Sequence, residues 1–354
     1  MAIPSLKIRR ESSSGSSTDV SLSESPHLEY FKTTCHHLSG DKPIDHYFPY
    51  VAHVASGAFG SVDQREVTDE GWALMVKGQP GAKRPEFVAV KEMKPSEEAH
   101  VPLEEAVREM VSEVAIFRQL TSRGLDVIPL YYGCLVGTTV YAVMEWVEGA
   151  DLIDLLGETE QANILRLLKN VACKGVVALQ RLHEAGVAHG DIRLENIRIQ
   201  KDSGKLYLID LGSACFHKDD PTCPSSFDRS QRMQYISPSL FLKGKDGTAT
   251  FEDWVMGDWW AFGLVLYAIL TGYHPYQKAG HRLGQDETSF VNFFISRMAS
   301  QGLKDAHQLD KGLYGVLEQS LFAKEGRNFV ELERFVMLPP ALKNVESFKE
   351  KLKC

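Results

Sequence analysis

The stretch HGDIRLENIRIQKDSGKLYLID, residues 189–210, decides how this chain is read. Its first half sets Asp191, Arg193, Glu195 and Asn196 close together: an acid, a cation, a second acid and an amide. Polar groups this dense belong either to a solvated turn or to a site of chemistry. In its second half, IRIQ and KLYLID flank Ser203 and Gly204, the pattern of a β-hairpin. Such a hairpin carries Asp210 back towards the acids before it. Upstream, ILRLLKNVACKGVVALQRLHEAG (164–186) is apolar at helical spacing and stops at a glycine, so a long helix delivers the chain into the loop.

Further towards the N-terminus the signals are those of strands. YVAHVASGAFGSVDQREV (50–67) reads as a strand, a glycine turn and a second strand, followed by a polar stretch with Gly71, Gly78 and Gly81. EFVAVKEM (86–93) is a short apolar strand bearing one lysine, Lys91. PLEEAVREMVSEVAIFRQL (102–120) is an amphipathic helix with Val107, Met110, Val111, Val114 and Phe117 on one side, stopped by Gly124. Glu113 lies beside that apolar side. An inward-pointing carboxylate needs a cation, because burying it alone is expensive. IPLYYGCL and TVYAVMEW supply two more strands, and the region after Gly149 turns mainly helical.

Composition bounds the rest. The 354 residues are 44% hydrophobic and 24% charged, an ordinary globular mixture with ample material for a core. A net charge of −8 argues against a general nucleic-acid binder, whose phosphate contacts call for a basic surface. The six cysteines lack CxxC spacing, which suggests neither a zinc site nor a disulfide framework but reduced thiols. MAIPSLKIRR has no apolar signal run, and the apolar run 259–270 is too short to span a bilayer. The expectation is a cytoplasmic protein without a membrane partner. The terminal KLKC is no prenylation box. Residues 1–40 form a Ser-rich arm in which ESSSGSSTDVSLSES lacks an apolar period, so no fixed structure is expected there. RRES at 9–12 has the form of a basophilic phosphorylation site, a short match that a Ser-rich arm produces by chance.

Taken in order, these motifs resemble those of the eukaryotic-type protein kinases over about residues 46–340. ASGAFGSV (55–62) resembles the glycine-rich phosphate loop, VAVK ends at the family's strand lysine, and Glu113 sits where its helix partner should be. HGDIRLEN resembles the HRDLKxxN loop, DLG (210–212) the DFG motif, and YISPS (235–239) the APE region. GDWWAFGLVLYAILTGYHPY (257–276) resembles the central helix of the larger lobe, with Asp258 buttressing the catalytic loop and Trp259 and Trp260 as core. The resemblance implies an α+β, bilobal protein kinase fold. Its N-lobe (46–144) has a five-stranded antiparallel sheet plus one helix; a hinge (145–150), a mostly helical C-lobe (151–340) and a C-terminal helix (341–354) follow.

The resemblance also implies roles. ATP would be covered by the backbone of Ala55, Ser56, Gly57, Ala58, Phe59 and Gly60, with Val62, Ala89, the gatekeeper Met144, the hinge residues Glu145 and Val147, and Arg198 around the base. Lys91, tied to Glu113, would hold the α/β-phosphate oxygens; Asp191 would accept the hydroxyl proton; Arg193 would place a cation near the transferred phosphoryl. Asn196 and Asp210 would hold Mg²⁺ or Mn²⁺ through hard oxygen ligands. His189 is read as core beneath Leu211, stacked with Phe117 and Leu130. The implied substrate is a protein Ser/Thr hydroxyl.

Several positions depart from the family pattern. Gly190 replaces the arginine of HRD, which diminishes the pocket that reads a phosphorylated activation loop. Ala55 replaces the first loop glycine, and Ser239 replaces the APE glutamate, leaving Arg327 without its usual carboxylate. Arg198 stands where an apolar residue usually forms the floor under adenine, either stacking on the base or filling the slot. Arg232 stands where serine/threonine kinases have a threonine. These departures motivate a pseudokinase scaffold as an alternative. HGD followed by LID also resembles small-molecule phosphotransferases of the aminoglycoside or choline type, although the glycine loop and the 257–276 helix weigh against them.

Overall fold

A computed structural model of the chain describes residues 6–9, 19–22, 42–57, 60–75, 83–94, 103–125, 127–136, 139–160, 163–216, 235–237, 240, 243–244 and 247–271. Ser12, Ala58, Phe59, Arg232, Ser239, Arg327 and the segment 341–354 lie outside the described residues. The chain divides into two compact units, Met1–Glu148 and Gly149–Cys354.

The first unit opens with β1 (Leu6–Arg9) and β2 (Asp19–Leu22), which pair antiparallel with Leu6 opposite Leu22 and Ile8 opposite Val20. The arm therefore carries a local ribbon where none was expected; its apolar residues alternate along both strands, although a two-stranded ribbon alone is marginal in water. After α1 (Ile44–Tyr47) come β3 (Tyr50–Gly57), β4 (Gly60–Glu66), α2 (Asp69–Met75), β5 (Phe87–Met93), α3 (Leu103–Ser122), β6 (Leu130–Val136) and β7 (Thr139–Glu145). The five strands β3 to β7 form one antiparallel sheet in the order β3-β4-β5-β7-β6. The long helix is α3, and its apolar side is buried as the periodicity predicts: Met110, Val111, Val114 and Phe117 are at most 5% exposed.

The two short helices α1 and α2 escape sequence reading. Ile44, Tyr47, Phe48 and Met75 from this region join Val88, Val90, Tyr132 and Val143 of the sheet in one apolar cluster. The stretch expected to be a polar loop starts α2 because Thr68 caps it: its Oγ1 accepts the Gly71 N–H at 3.0 Å, and Asp69 and Glu70 occupy the first turn, where the helix dipole favours acids.

The second unit begins with β8 (Gly149–Asp151) and α4 (Leu152–Glu158), followed by α5 (Ile164–Glu184), β9 (Val187–Ala188), a 3₁₀ turn (Leu194–Asn196), β10 (Ile197–Gln200), β11 (Leu206–Leu208), β12 (Cys215–Phe216) and α6 (Phe251–Thr271). The predicted hairpin is β10–β11, with Ile197 opposite Leu208 and Gly204 in its turn; β8 pairs with the other edge of β10. Strand β9 pairs with β12, so two small ladders hold the chain on either side of residues 189–196. Helices α5 and α6 pack together. Trp259 and Trp260 are fully buried, and the Trp259 ring meets His183 edge-on at 5.3 Å. Among the described residues no helix is long and apolar enough to cross a membrane.

One expectation is corrected here. Cys173 and Cys215 each take part in a disulfide, whereas their separation in sequence suggested reduced thiols. Sequence spacing says nothing about whether two Cα atoms approach within bridging distance in the fold.

The α5–α6 contact depends on Gly175. A Cβ there would lie 2.4 Å from the Phe262 ring, itself 1% exposed. In an open helix Gly→Ala is worth about 1 kcal/mol of added stability, but overpacking a filled core costs about 1–3 kcal/mol. Gly175→Ala is therefore expected to lower the urea midpoint at unchanged m-value; a raised midpoint would show that Phe262 yields freely.

Candidate active site

In the first unit the strand register builds one face. Lys91 on β5 is opposite Val62 on β4 and Ala142 on β7, and Ala55 on β3 is opposite Val62. One row along, Ala89 is opposite Met144. Residues directly opposite across strands share a sheet face, so Ala55, Val62, Ala89, Lys91 and Met144 all lie on the same side. Gly57 is opposite Gly60 at the end of the β3–β4 hairpin. Glu145 closes β7, its N–H donating to the Pro129 carbonyl at 2.9 Å, and Val147 just beyond is 2% exposed. Lys91 Nζ donates to Glu113 Oε1 at 2.5 Å, the cation that an inward-pointing carboxylate on α3 requires. The lysine side chain is 16% exposed and the glutamate 5%, so the lysine is the more accessible member of the pair.

In the second unit residues 189–196 hang from α6. Asp258, 1% exposed, accepts the His189 N–H at 2.7 Å and the Gly190 N–H at 2.8 Å, one on each carboxylate oxygen. His183 of α5 adds a third bond to Asp258 at 2.8 Å. With the loop held, Asn196 Nδ2 donates to both the backbone oxygen and Oδ2 of Asp191, each at 2.8 Å. Both contacts use the amide nitrogen and orient the amide oxygen away from Asp191. Arg193 Nε lies 3.5 Å from Asp191 Oδ2, and this buried nitrogen has no hydrogen-bond partner among the described residues. Asp191 and Gly190 line a small cleft with Ile192, Tyr235, Leu240 and Gly257. Burial, reinforced by Glu195, holds the Tyr235 hydroxyl well above its usual pKa, so it stays protonated.

His189 is buried, as read, but it also hydrogen-bonds. Its Nδ1 accepts the Asp191 N–H at 3.3 Å, which leaves Nε2–H to donate to the Ile209 carbonyl at 3.1 Å. The Ile209 N–H in turn donates to the Asn196 carbonyl at 3.0 Å. The loop and the start of DLG are thus tied to each other. Asp210 has φ 63°, the one non-glycine positive φ among the described residues. Asp tolerates this region better than most residues, yet it is sparsely populated, and such outliers gather at functional sites.

Gly190 is a glycine by necessity. Its φ is 75°, and a Cβ would lie 2.2 Å from the Ser213 carbonyl oxygen and 2.9 Å from the Trp254 ring. Arg198 is a cross-strand bridge: Nη1 donates to Asp151 Oδ1 at 2.7 Å and Nη2 to the Gly149 carbonyl at 2.9 Å, with Asp151 its register partner on β8. The roles of His183 and Asp151 were missed in the sequence, where a histidine late in an amphipathic helix and an acid before a short helix carry no signal of a partner.

The residues fit a hard cation shared with a phosphorylated ligand. Among the described residues no three His, Cys, Asp or Glu side chains gather into a ready-made cage. The Asn196 amide oxygen and the Asp210 carboxylate are hard ligands of the kind Mg²⁺ takes when phosphate oxygens and water complete its shell.

Comparison with known proteins agrees with this geometry. The protein kinase domain family matches residues 75–321. A probable serine/threonine-protein kinase of Dictyostelium discoideum is 28% identical over 190 residues, covering 48% of this chain and 39% of that protein. Serine/threonine-protein kinase 1 of Lymantria dispar multicapsid nuclear polyhedrosis virus is 33% identical over 155 residues, covering 44% and 49%. Inhibitor of nuclear factor kappa-B kinase subunit alpha of Gallus gallus is 30% identical over 157 residues, covering 42% and 19%. The chain spans less than half the length of these curated relatives. With the family match covering well over half of its residues, and with the five-stranded sheet and the clamped loop in place, the chain belongs to the protein kinase domain family.

Proposed function

We propose that the protein is an ATP-dependent protein kinase that transfers the γ-phosphoryl group of Mg-ATP to a serine or threonine hydroxyl of a protein substrate. The observation that carries the proposal is the fixed Asp191: its carboxylate is held by Asn196, flanked by Arg193, and its loop is suspended from Asp258. A residue that accepts a proton in a transition state must be positioned before it is basic. The names of the similar serine/threonine kinases support the same substrate class. A family match to protein kinases disfavours the small-molecule phosphotransferase reading, and the intact acid, amide and lysine set disfavours a scaffold without activity.

Each side chain then has one task. Lys91, braced by Glu113, binds phosphate oxygens. Asp191 takes the proton of the attacking hydroxyl, and the Arg193 guanidinium, ion-paired through Nε with Asp191 and Glu195, meets anionic charge on the transferred group. The Asn196 amide oxygen and the Asp210 carboxylate would hold Mg²⁺ or Mn²⁺, which would supply charge neutralisation on the phosphates. Ala55, Val62, Ala89 and Met144 supply the apolar sheet face for the base, while Ser56, Gly57 and Gly60 supply backbone for the phosphates, with Ala58 and Phe59 between them. Glu145 and Val147 present hinge backbone. Arg198 has its head committed to Asp151 and the Gly149 carbonyl, so its guanidinium braces β8 against β10.

Transfer from ATP to serine- and threonine-containing peptides is expected with Mg²⁺ and to be abolished by chelation. Asp191→Asn should lower kcat by about 10²–10⁴-fold, the usual worth of a positioned base, with little change in KM for ATP. Equal activity of wild type and variant would remove Asp191 from the reaction, and transfer to tyrosine alone would overturn the substrate class.

Gly190→Arg would restore the family's HRD sequence, yet it is expected to destabilise the second unit by at least about 1–3 kcal/mol through overpacking, before any strain from its φ. Thermal unfolding measures this directly. A stable, more active variant would show that the loop can adopt another course.

A further inference from the structure

The opposite face of the β3–β4 hairpin carries a second chemical arrangement. Strand β3 has two register irregularities, between Tyr50 and Ala52 and between His53 and Ala55. Each inserts one extra residue, Val51 and Val54, both exposed. A strand alternates faces every residue, so each insertion shifts the phase by one. Tyr50, His53 and Ser56, three residues apart, consequently share a face, where they lie opposite Arg65, Asp63 and Ser61 of β4.

On that face three side chains form a chain of hydrogen bonds. Ser56 Oγ lies 3.0 Å from His53 Nε2, and His53 Nδ1 lies 3.1 Å from Asp63 Oδ1. Asp63 is buried at 8% exposure, and its second oxygen accepts from Arg65 Nη2 at 3.1 Å. Arg65 is itself buried, bonded to Asp45 and to the Phe48 carbonyl. The carboxylate is therefore fixed as an acceptor and selects the His53 tautomer with hydrogen on Nδ1. Nε2 is then the acceptor for the Ser56 hydroxyl. A nucleophile, a base within hydrogen-bond reach and a third group orienting the base are the parts of an activated hydroxyl, recognised by geometry and not by sequence position. Ser56 is exposed and the His53 side chain is 50% exposed, so a reagent can reach both.

We propose that Ser56 is a covalent-modification site: an activated hydroxyl that takes a phosphoryl group from a donor carrying a good leaving group. In the step, the Ser56 Oγ–P bond forms and the bond from phosphorus to the leaving group breaks. The leaving group departs with the bonding electron pair, and the Oγ proton passes to His53 Nε2. No oxidant or reductant is involved. The proposal does not need the transfer assigned to Asp191: the three side chains lie on the opposite face of the β3–β4 hairpin from Lys91, and only the Ser56 backbone enters that reading.

The test is labelling of the full chain with a fluorophosphonate, from which fluoride departs, followed by peptide mass spectrometry. The adduct is expected at Ser56, at least tenfold faster than at Ser61 on the same face. His53→Ala should slow labelling of Ser56 about 100-fold, the typical worth of a general base, and added imidazole should restore part of the rate. Asp63 is the more structural member, so the exposed His53 keeps the test clear of misfolding. Absence of the Ser56 adduct, a rate equal to that of Ser61, an unchanged rate in His53→Ala, or failure of imidazole to rescue would each overturn the proposal.

Discussion

The buried carboxylate of Asp258 is the constraint on which the second unit depends. It sits in α6, a helix that is apolar beyond the acids Glu252 and Asp253 of its first turn, and its two oxygens are engaged by the N–H groups of His189 and Gly190 together with His183. A charge in that setting is tolerable only if every lone pair it presents is used. Hydrogen bonds to charged groups contribute roughly 1.5–3 kcal/mol each, and truncating one partner of a buried ionic network costs about 3–5 kcal/mol. The consequence is positional. Residues 189 and 190 have no freedom, so Asp191 next to them inherits a fixed direction, and Asn196 fixes it again from the far side of the loop.

A comparable constraint orders the first unit. Lys91 and Glu113 come from a strand and a helix separated by some twenty residues of sequence, and they meet at 2.5 Å in a mostly buried setting. Such a pair is weak evidence of stability, because desolvation takes back most of the attraction. Its effect is to orient the lysine, whose position on β5 places it in one row with Val62 and Ala142. The sheet register, not the ion pair, chooses the face. The ion pair then holds the ammonium group in place on it.

What the sequence disclosed followed periodicity and what it hid followed contact. The five strands, α3, α5 and the β10–β11 hairpin were legible because apolar residues recur at the period of each element. The acids and amide of 189–196 were legible because nothing but chemistry or solvent explains that density of polar groups. The helices α1 and α2 were not, since α2 is begun by one threonine cap and holds no full apolar period. The β1–β2 ribbon was hidden by the serine-rich composition around it. The cross-strand bridge made by Arg198 was not legible, because its partners, Asp151 and the Gly149 carbonyl, lie some 47 residues or more earlier in the chain. The disulfides of Cys173 and Cys215 were hidden for the same reason, as was the hydrogen bonding of His189.

The irregularities of β3 show how one ribbon can serve two faces. A regular strand from Tyr50 to Gly57 would put His53 and Ala55 on one side and Ser56 on the other. With one insertion between them, His53 keeps its place opposite Asp63 while Ala55 joins the lysine face and Ser56 crosses to the histidine side. Bulges are tolerated best on edge strands, where only one ladder is interrupted, and β3 is an edge of its sheet. The exposed Val51 and Val54 follow from the same geometry, since each inserted residue has no partner across the ladder to cover it.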